Sequence, residues 1–212
     1  MRIAIIGVGN VGGALAGAAT TAGHDVVLSA SDPSSAQSAA AKTGATAAAS
    51  NAEAVSSADV VVFAVPGNAV AGIAREIDEG LPGKVVVDAT NPINDSYSDL
   101  TTSGVSAAEL LQQQLPGAHV VKALNTVFAS RYGNPSEGGQ PLDALLAGDD
   151  ADAKTTVSQL AESLGFHPVD AGSLRMARTL EEMAFLNITL NASNGWSWQS
   201  AFQLVGPTSS DA

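Results

Sequence analysis

Short apolar runs alternate with amphipathic stretches along most of the chain. Arg2 to Ile6 is apolar, stops at Gly7 and predicts a strand. A helical stretch follows from Asn10 to Ala22, with Gly23 as its C-cap. Asp25 to Ser29 predicts a second strand. Pro33 to Lys42 predicts an alanine-rich helix that opens on a proline suited to a first turn, and Gly44 to Ala48 a short strand. Ser50 and Asn51 can cap a helix through Ser57. Asp59 to Val65 is apolar almost throughout, as in a strand buried on both faces. Pro66 opens a helix whose Val70, Ile73 and Ile77 step near the helical period. Lys84 to Ala89, Ser106 to Leu115 and His119 to Leu124 predict strand, helix and strand.

A loop rich in Gly, Pro, Asn and Ser spans Arg131 to Gln140. Pro141 to Ala147 then reads as a strand, Ala151 to Leu164 as a helix and His167 to Asp170 as a short strand. From Ser173 the pattern changes: Leu174, Ala177, Leu180, Ala184, Ile188 and Ala192 step by three or four, which predicts one long helix ending at Gly195. The last residues are polar and are expected to fray. Strands alternating with helices imply an α/β protein of the Rossmann-type, doubly wound class, with a mainly parallel sheet and a small C-terminal helical part. The expected division is a dinucleotide-binding domain over residues 1–140 and a smaller part, 141–212, that completes the cleft.

The chain has 212 residues, 45% of them apolar and 14% charged, which is enough for a core and unlike a disordered polyelectrolyte. It has no cysteine, so disulfides, thiolate metal sites and thiol catalysis are excluded. His24, His119 and His167 lack ligand-like spacing, so no metal site is expected. Nine basic residues against 21 acidic ones give a net charge of −12, with no basic cluster, so neither nucleic acid nor an anionic membrane is an expected partner. Met1-Arg2 leads directly into an apolar strand and no run approaches a membrane span, so the expected compartment is the cytoplasm.

The motif that carries chemistry is Gly7-Val8-Gly9-Asn10-Val11-Gly12, a G-x-G-x-x-G between a strand and a helix. Gly7 permits the tight turn, Gly9 lets backbone approach a pyrophosphate, and Gly12 lets helix and strand pack closely. The pyrophosphate then meets helix N–H groups, Asn10 and Val11 among them, at the positive end of the dipole. The second strand ends Ser29-Ala30-Ser31-Asp32. No carboxylate stands at Ser29 or Ala30 to repel a 2′-phosphate and two serines can donate to one, which favours NADP over NAD. Asp32 reads as a turn residue or helix cap, with a ligand to the ribose as the alternative. Val65 and Pro66 end the fourth strand beside the cofactor crevice. Asn91, and Asn125 after Ala123, end the next two and would lie near the nicotinamide.

Together Gly7 to Gly12, Gly23-His24-Asp25-Val26-Val27, Val65-Pro66, Ala123-Leu124-Asn125-Thr126, Asp170-Ala171-Gly172-Ser173-Leu174 and Leu186-Asn187-Ile188 with Gly195 downstream resemble the coenzyme F420-dependent NADP oxidoreductase family. The domain is also similar to the oxidoreductase domain of membrane metalloreductases. The resemblance implies hydride transfer between NADP(H) and a deazaflavin (coenzyme F420) or a flavin, a small-molecule redox acceptor as partner, and a homodimer. Two positions depart from the family's pattern: Ala30 stands where an arginine is usual, and Asn125 where a histidine is usual.

No residue is assigned a catalytic role, because hydride transfer between ring carbons needs two stacked rings and a dry site rather than a nucleophile. Lys122 lies in an apolar run and reads as a surface or salt-bridged lysine. Arg175 and Arg178 share a helix face, either toward the acceptor's tail or paired with Glu181 or Glu182. Two other readings stay open: an NAD(P)-dependent dehydrogenase of a small imine or carbonyl, and a non-catalytic NADP-binding redox sensor.

Overall fold

The computed structural model describes residues 1–206; the expected fraying of the last residues falls largely on 207–212, outside the described residues. The strands are β1 (Arg2–Ile6), β2 (Asp25–Ser29), β3 (Thr46–Ala47), β4 (Val60–Phe63), β5 (Val85–Asp88), β6 (His119–Ala123), β7 (Ser136–Glu137), β8 (Gln140–Pro141), β9 (Asp143–Gly148) and β10 (His167–Asp170). The helices are α1 (Asn10–Thr21), α2 (Pro33–Thr43), α3 (Asn51–Ser56), α4 (Gly67–Ile77), α5 (Ala107–Gln114), α6 (Ala151–Ser163) and α7 (Ala177–Asn194).

Eight strands form one sheet in the order β10-β9-β6-β5-β4-β1-β2-β3. From β3 to β6 every pairing is parallel, which is the doubly wound arrangement, and the strand order reverses at the β1–β4 boundary where such folds bind ligands. Side chains alternate between two cores as the pleat requires: Ile3 and Ile5 pack with Leu15 and Val157 on one face, Ala4 and Ile6 with Ile77 and Leu111 on the other.

Residues beyond 140 extend this sheet. β9 pairs antiparallel with β6, and β10 parallel with β9, so position 140 marks where the sheet reverses direction rather than a gap in packing. The loop from Arg131 to Gln140 holds a two-stranded hairpin, β7–β8, which was not expected; Gly138 and Gly139, with φ of 58° and 80°, supply its left-handed turn. The long C-terminal helix starts as a 3-10 turn, Leu174–Met176, before α7 continues to Asn194 and Gly195 (φ 64°) caps it. The following segment returns along the sheet edge, where Asp143 donates its backbone N–H to the Phe202 carbonyl.

Candidate active site

Gly7 adopts φ 104°, and a Cβ there would press on the Ala64 carbonyl. A Cβ on Gly12 would strike the Gly7 carbonyl and come within 3.3 Å of Ala64 Cβ. These two glycines let β1, α1 and the end of β4 close on one another. Gly9 differs: a Cβ there meets nothing within 4 Å. The turn is therefore packed from behind and open in front. Gly9 is also the N-cap of α1, with no side-chain cap and no acidic residue in the first turn. The N–H groups of Asn10, Val11 and Gly12 are thus left to an anion.

From this turn a cleft of about 980 Å³ runs along the end of β2 and the face of α2. Val65 and Pro66 form part of its other wall, because β4 ends at Phe63 and releases them. Ala30 and Ser31 line it as the sequence suggests. Ser29 does not. It is buried, and its hydroxyl donates to Asn51 Oδ1, whose amide in turn donates to Glu76 at 3.0 Å. The serine at the strand end is spent on tying β2 to α3. Asp32 caps α2 as expected, accepting from Ser34 N and from the Ser34 and Ser35 hydroxyls, and these bonds hold its carboxyl below the usual range. Sequence reasoning missed Lys42. It lines the same cleft with Ser35 and Ser38, at positions i, i+3 and i+7 of one α2 face, and that spacing was legible in the chain.

A second cavity, about 130 Å³, lies between the ends of β5 and β6 and the middle of α7. Val11, Asn91, Asn125, Thr126 and Asn187 line it. Asn91 and Asn125 bond to each other, and Asn125 also donates to the Leu180 carbonyl of α7 at 2.9 Å. Asn125 Oδ1 and Thr126 Oγ1 are buried without a partner. Buried polar groups are ordinarily satisfied, so two orphans lining one cavity mark a place for a ligand's polar atoms. Ala123, expected at the cofactor, instead packs in the core at 2% exposure, since it lies within β6 rather than past its end.

Lys122 is not on the surface. It is fully buried, with Nζ 3.0 Å from Asp88 Oδ2, 2.9 Å from Glu181 Oε1 and 2.7 Å from the Thr90 carbonyl. Three acceptors saturate its ammonium, so it fixes structure rather than donating a proton. Burial pushes the Glu181 carboxyl up, while Lys122 opposes the shift. Glu181 also accepts from the Ala107 and Ala108 N–H groups at the start of α5. Arg178 pairs with neither Glu181 nor Glu182. It grips Glu109 through two bonds, at 2.8 and 2.7 Å, and this pairing lowers the Glu109 carboxyl to about 2. Arg175 is exposed.

Residues 2–92 match the family model described as NADP oxidoreductase, coenzyme F420-dependent. The F420-dependent NADP reductase of Methanothermobacter marburgensis is 34% identical over 92% of this chain and 94% of its own length. The chain belongs to the F420-dependent NADP reductase family. A solved Arthrobacter sp. FB24 protein, described as a candidate member of that family, superposes with a TM-score of 0.86 at 31% identity over 97% of this chain and all of its own. The rat metalloreductase STEAP3 is 37% identical over 61% of this chain but only 25% of its own length, so the likeness covers a quarter of that protein. Among the described residues no helix is long and apolar enough to cross a membrane. As a member of this reductase family the chain is an oxidoreductase, and the open glycine turn and the orphan-lined cavity are its two distinctive surfaces.

Proposed function

We propose that this protein transfers a hydride between NADP(H) and a deazaflavin of the coenzyme F420 type, with flavins as a second acceptor class. The observation that carries the reading is the pairing of an uncapped, unobstructed Gly9 turn with a nearby cavity holding two partnerless polar atoms. The residues fit a dinucleotide. Gly7, Gly9, Asn10, Val11 and Gly12 would hold the pyrophosphate. Ala30, Ser31 and Lys42 would face the 2′-phosphate, Val65 and Pro66 the middle of the cofactor, and Asn91, Asn125 and Thr126 the nicotinamide end. When bound, the nicotinamide supplies or takes the hydride. The protein's part is to hold the ring, exclude water and leave one ring face open. Among the described residues no titratable side chain lines the second cavity, in keeping with a transfer that needs no side-chain base.

Residues 141–212 complete the acceptor side through α7, in this reading. Leu186 and Leu190, exposed and one turn apart on α7, offer an apolar face for a second copy of the chain, giving a homodimer that sedimentation would detect. The cytoplasm, where reduced nicotinamide pools lie, is the proposed compartment. The deciding experiment measures NADPH oxidation with F420, FMN, FAD, ferric ion and a cyclic imine. F420 should be the best acceptor. Turnover of the imine alone would point to a dehydrogenase of small substrates, and tight NADPH binding without turnover of anything to a redox sensor.

A further inference from the structure

Whether a dinucleotide cleft favours a 2′-phosphate is decided at the end of β2, beside the adenosine ribose. Ala30 brings no polar side-chain atom to this rim, and Ser31, Asp32 and Ser35 follow it along the cleft wall. Four serine hydroxyls stand between positions 29 and 35. That of Ser29 is buried and committed to Asn51. Those of Ser34 and Ser35 both donate to Asp32 Oδ2, at 2.7 and 2.8 Å. Among the described residues this leaves the Ser31 hydroxyl uncommitted at the rim.

The start of α2 is committed in the same way. A helix start with open N–H groups can hold a phosphate. Here the Ser34 N–H donates to Asp32 Oδ1 at 3.1 Å, and the Ser35 and Ala36 N–H groups donate to the Asp32 carbonyl. The anion that α2 attracts is therefore the protein's own. The bonds to Asp32, that from the Ser34 hydroxyl foremost, hold its carboxyl below the usual range. A carboxylate offers about four acceptor directions. Oδ2 uses two and Oδ1 one, so Oδ1 retains one for a ribose hydroxyl.

The rest of the wall does not reverse the sign. Among the described residues the charged side chains lining the cleft are Asp32, Lys42 and Glu76, two carboxylates against one ammonium. Glu76 is fixed there by Asn51, whose Nδ2 donates to it at 3.0 Å. Lys42 lies in the last turn of α2, about 15 Å along the helix axis from Asp32. Its attraction for an anion at the rim acts over distance and through solvent, whereas the Asp32 carboxylate stands at the rim itself.

We infer that the cleft takes NAD(H) as a second nicotinamide substrate alongside NADP(H), and that Asp32 levels the choice: its carboxylate accepts from an unmodified ribose 2′-hydroxyl and repels a 2′-phosphate. This rests on the dinucleotide reading above and extends its substrate class. The 2′-phosphate takes no part in hydride transfer, so either dinucleotide serves the same acceptor. The net charge of −12 also works against the more anionic of the two, and salt weakens that opposition.

Calorimetry of NADH and of NADPH binding, with no acceptor present, reads the inference directly. The two dissociation constants should lie within about fivefold of each other, and added salt should shift the ratio toward NADPH by screening the repulsion. Asp32→Asn keeps a side chain that caps α2 and removes the charge. It should weaken NADH and tighten NADPH, moving the ratio by about tenfold or more. 2′-Deoxy-NADH should bind the unmodified protein several-fold more weakly than NADH does, and the two should bind Asp32→Asn equally. NADPH binding more than about fiftyfold tighter than NADH, and weakening with added salt, would overturn the inference by revealing a cation on the 2′-phosphate. An unchanged ratio in an Asp32→Asn protein of normal melting temperature would overturn the role of Asp32. Should that variant melt early, equal affinity of the unmodified protein for NADH and 2′-deoxy-NADH would overturn it instead. In each of these cases dinucleotide binding itself leaves the proposed function standing. Binding of neither NADH nor NADPH would overturn that function, and this inference with it.

Discussion

Asn91 Nδ2 donates to the Asn125 carbonyl at 2.9 Å, and Asn125 Nδ2 donates back to Asn91 Oδ1 at 3.0 Å. This clasp joins the loops after β5 and β6, and the further bond from Asn125 to the Leu180 carbonyl adds α7. Both amide hydrogens of Asn125 are used, and its oxygen alone is left for a ligand. Asn125→Ala strands two acceptors, and each costs on the order of 1–3 kcal/mol when left buried and unpaired. The variant should be less stable in urea and slower in NADPH oxidation. Wild-type values for both would remove Asn125 from the site.

Gly9→Ala and Gly12→Ala should fail in opposite ways. The first adds a methyl to open space, so the melting temperature should stay near wild type while NADPH binding falls sharply. The second drives a methyl into the Gly7 carbonyl and should lower stability before any question of binding arises. Calorimetric binding and thermal melting on the same pair of proteins separate the two. A Gly9→Ala protein that binds NADPH normally would put the pyrophosphate elsewhere.

Much of this was legible in the chain. The apolar runs and helix caps located nearly every main element, because buried parallel strands and amphipathic helices write their period directly into residue order. The G-x-G-x-x-G marked one end of the candidate site, since Gly7 and Gly12 answer local steric demands and Gly9 leaves the turn open. The second end was only half legible. Asn91 and Asn125 could be named as strand-end residues, but not their clasp, which needs two loops 34 residues apart brought together. Ser29 looked free because nothing local shows that Asn51 takes its hydroxyl. For Lys122 the surface and salt-bridged readings stayed open for the same reason: its partners, Asp88 and Glu181, reach it from β5 and α7. The antiparallel β9 could not be read, because an apolar strand carries no mark of its direction.

Cofactor choice should rest on Lys42 in place of the missing arginine at position 30. Among the described residues Lys42 is the one cation in the wall of the large cleft, and it shares that wall with Asp32, whose carboxyl is held below the usual range, and with Glu76. Lys42→Gln should raise the dissociation constant for NADPH several-fold and leave NADH unchanged. Ala30→Arg should tighten NADPH by roughly 1.5–3 kcal/mol through a charge-assisted contact. Equal effects on NADPH and NADH would show that neither position meets the 2′-phosphate.

The Arg178–Glu109 pair sets an acid limit. Arg178 holds the Glu109 carboxyl at about 2, below the ordinary glutamate value of 4.5. A depressed carboxylate contributes stability that is fully present above the unfolded value and is lost as pH falls through the folded one. The contribution should therefore fade between about pH 4.5 and pH 2. Arg178→Ala should flatten this part of the stability profile and loosen α5 from α7, with little effect on NADPH affinity. An unchanged slope over that window would show the pair to be energetically idle.

Lys122 should be the most sensitive charged position in the protein. Its ammonium is the only cation bonded to Asp88 and Glu181 among the described residues, and all three side chains are essentially inaccessible. Removing one partner of a buried ion cluster leaves uncompensated charge, at a cost of about 3–5 kcal/mol. Lys122→Met fits the space but strands two carboxylates, so it should unfold far more easily near neutral pH than wild type. Glu181 is already raised by burial, and without Lys122 it rises further. A carboxyl raised in the folded state stabilises at low pH and loses that contribution as pH rises through its folded value, so the variant should regain stability on acidification. Lys122→Met with Glu181→Gln should recover much of the loss at neutral pH, because one of the two stranded charges is then gone. The functional consequence follows from α7: it carries Leu180, which holds Asn125, and Asn187 and Ile188, which line the ring cavity. In the double variant the KM for the acceptor should rise more than the KM for NADPH. Single-variant stability equal to wild type at neutral pH would mean that α7 is held in place without the triad.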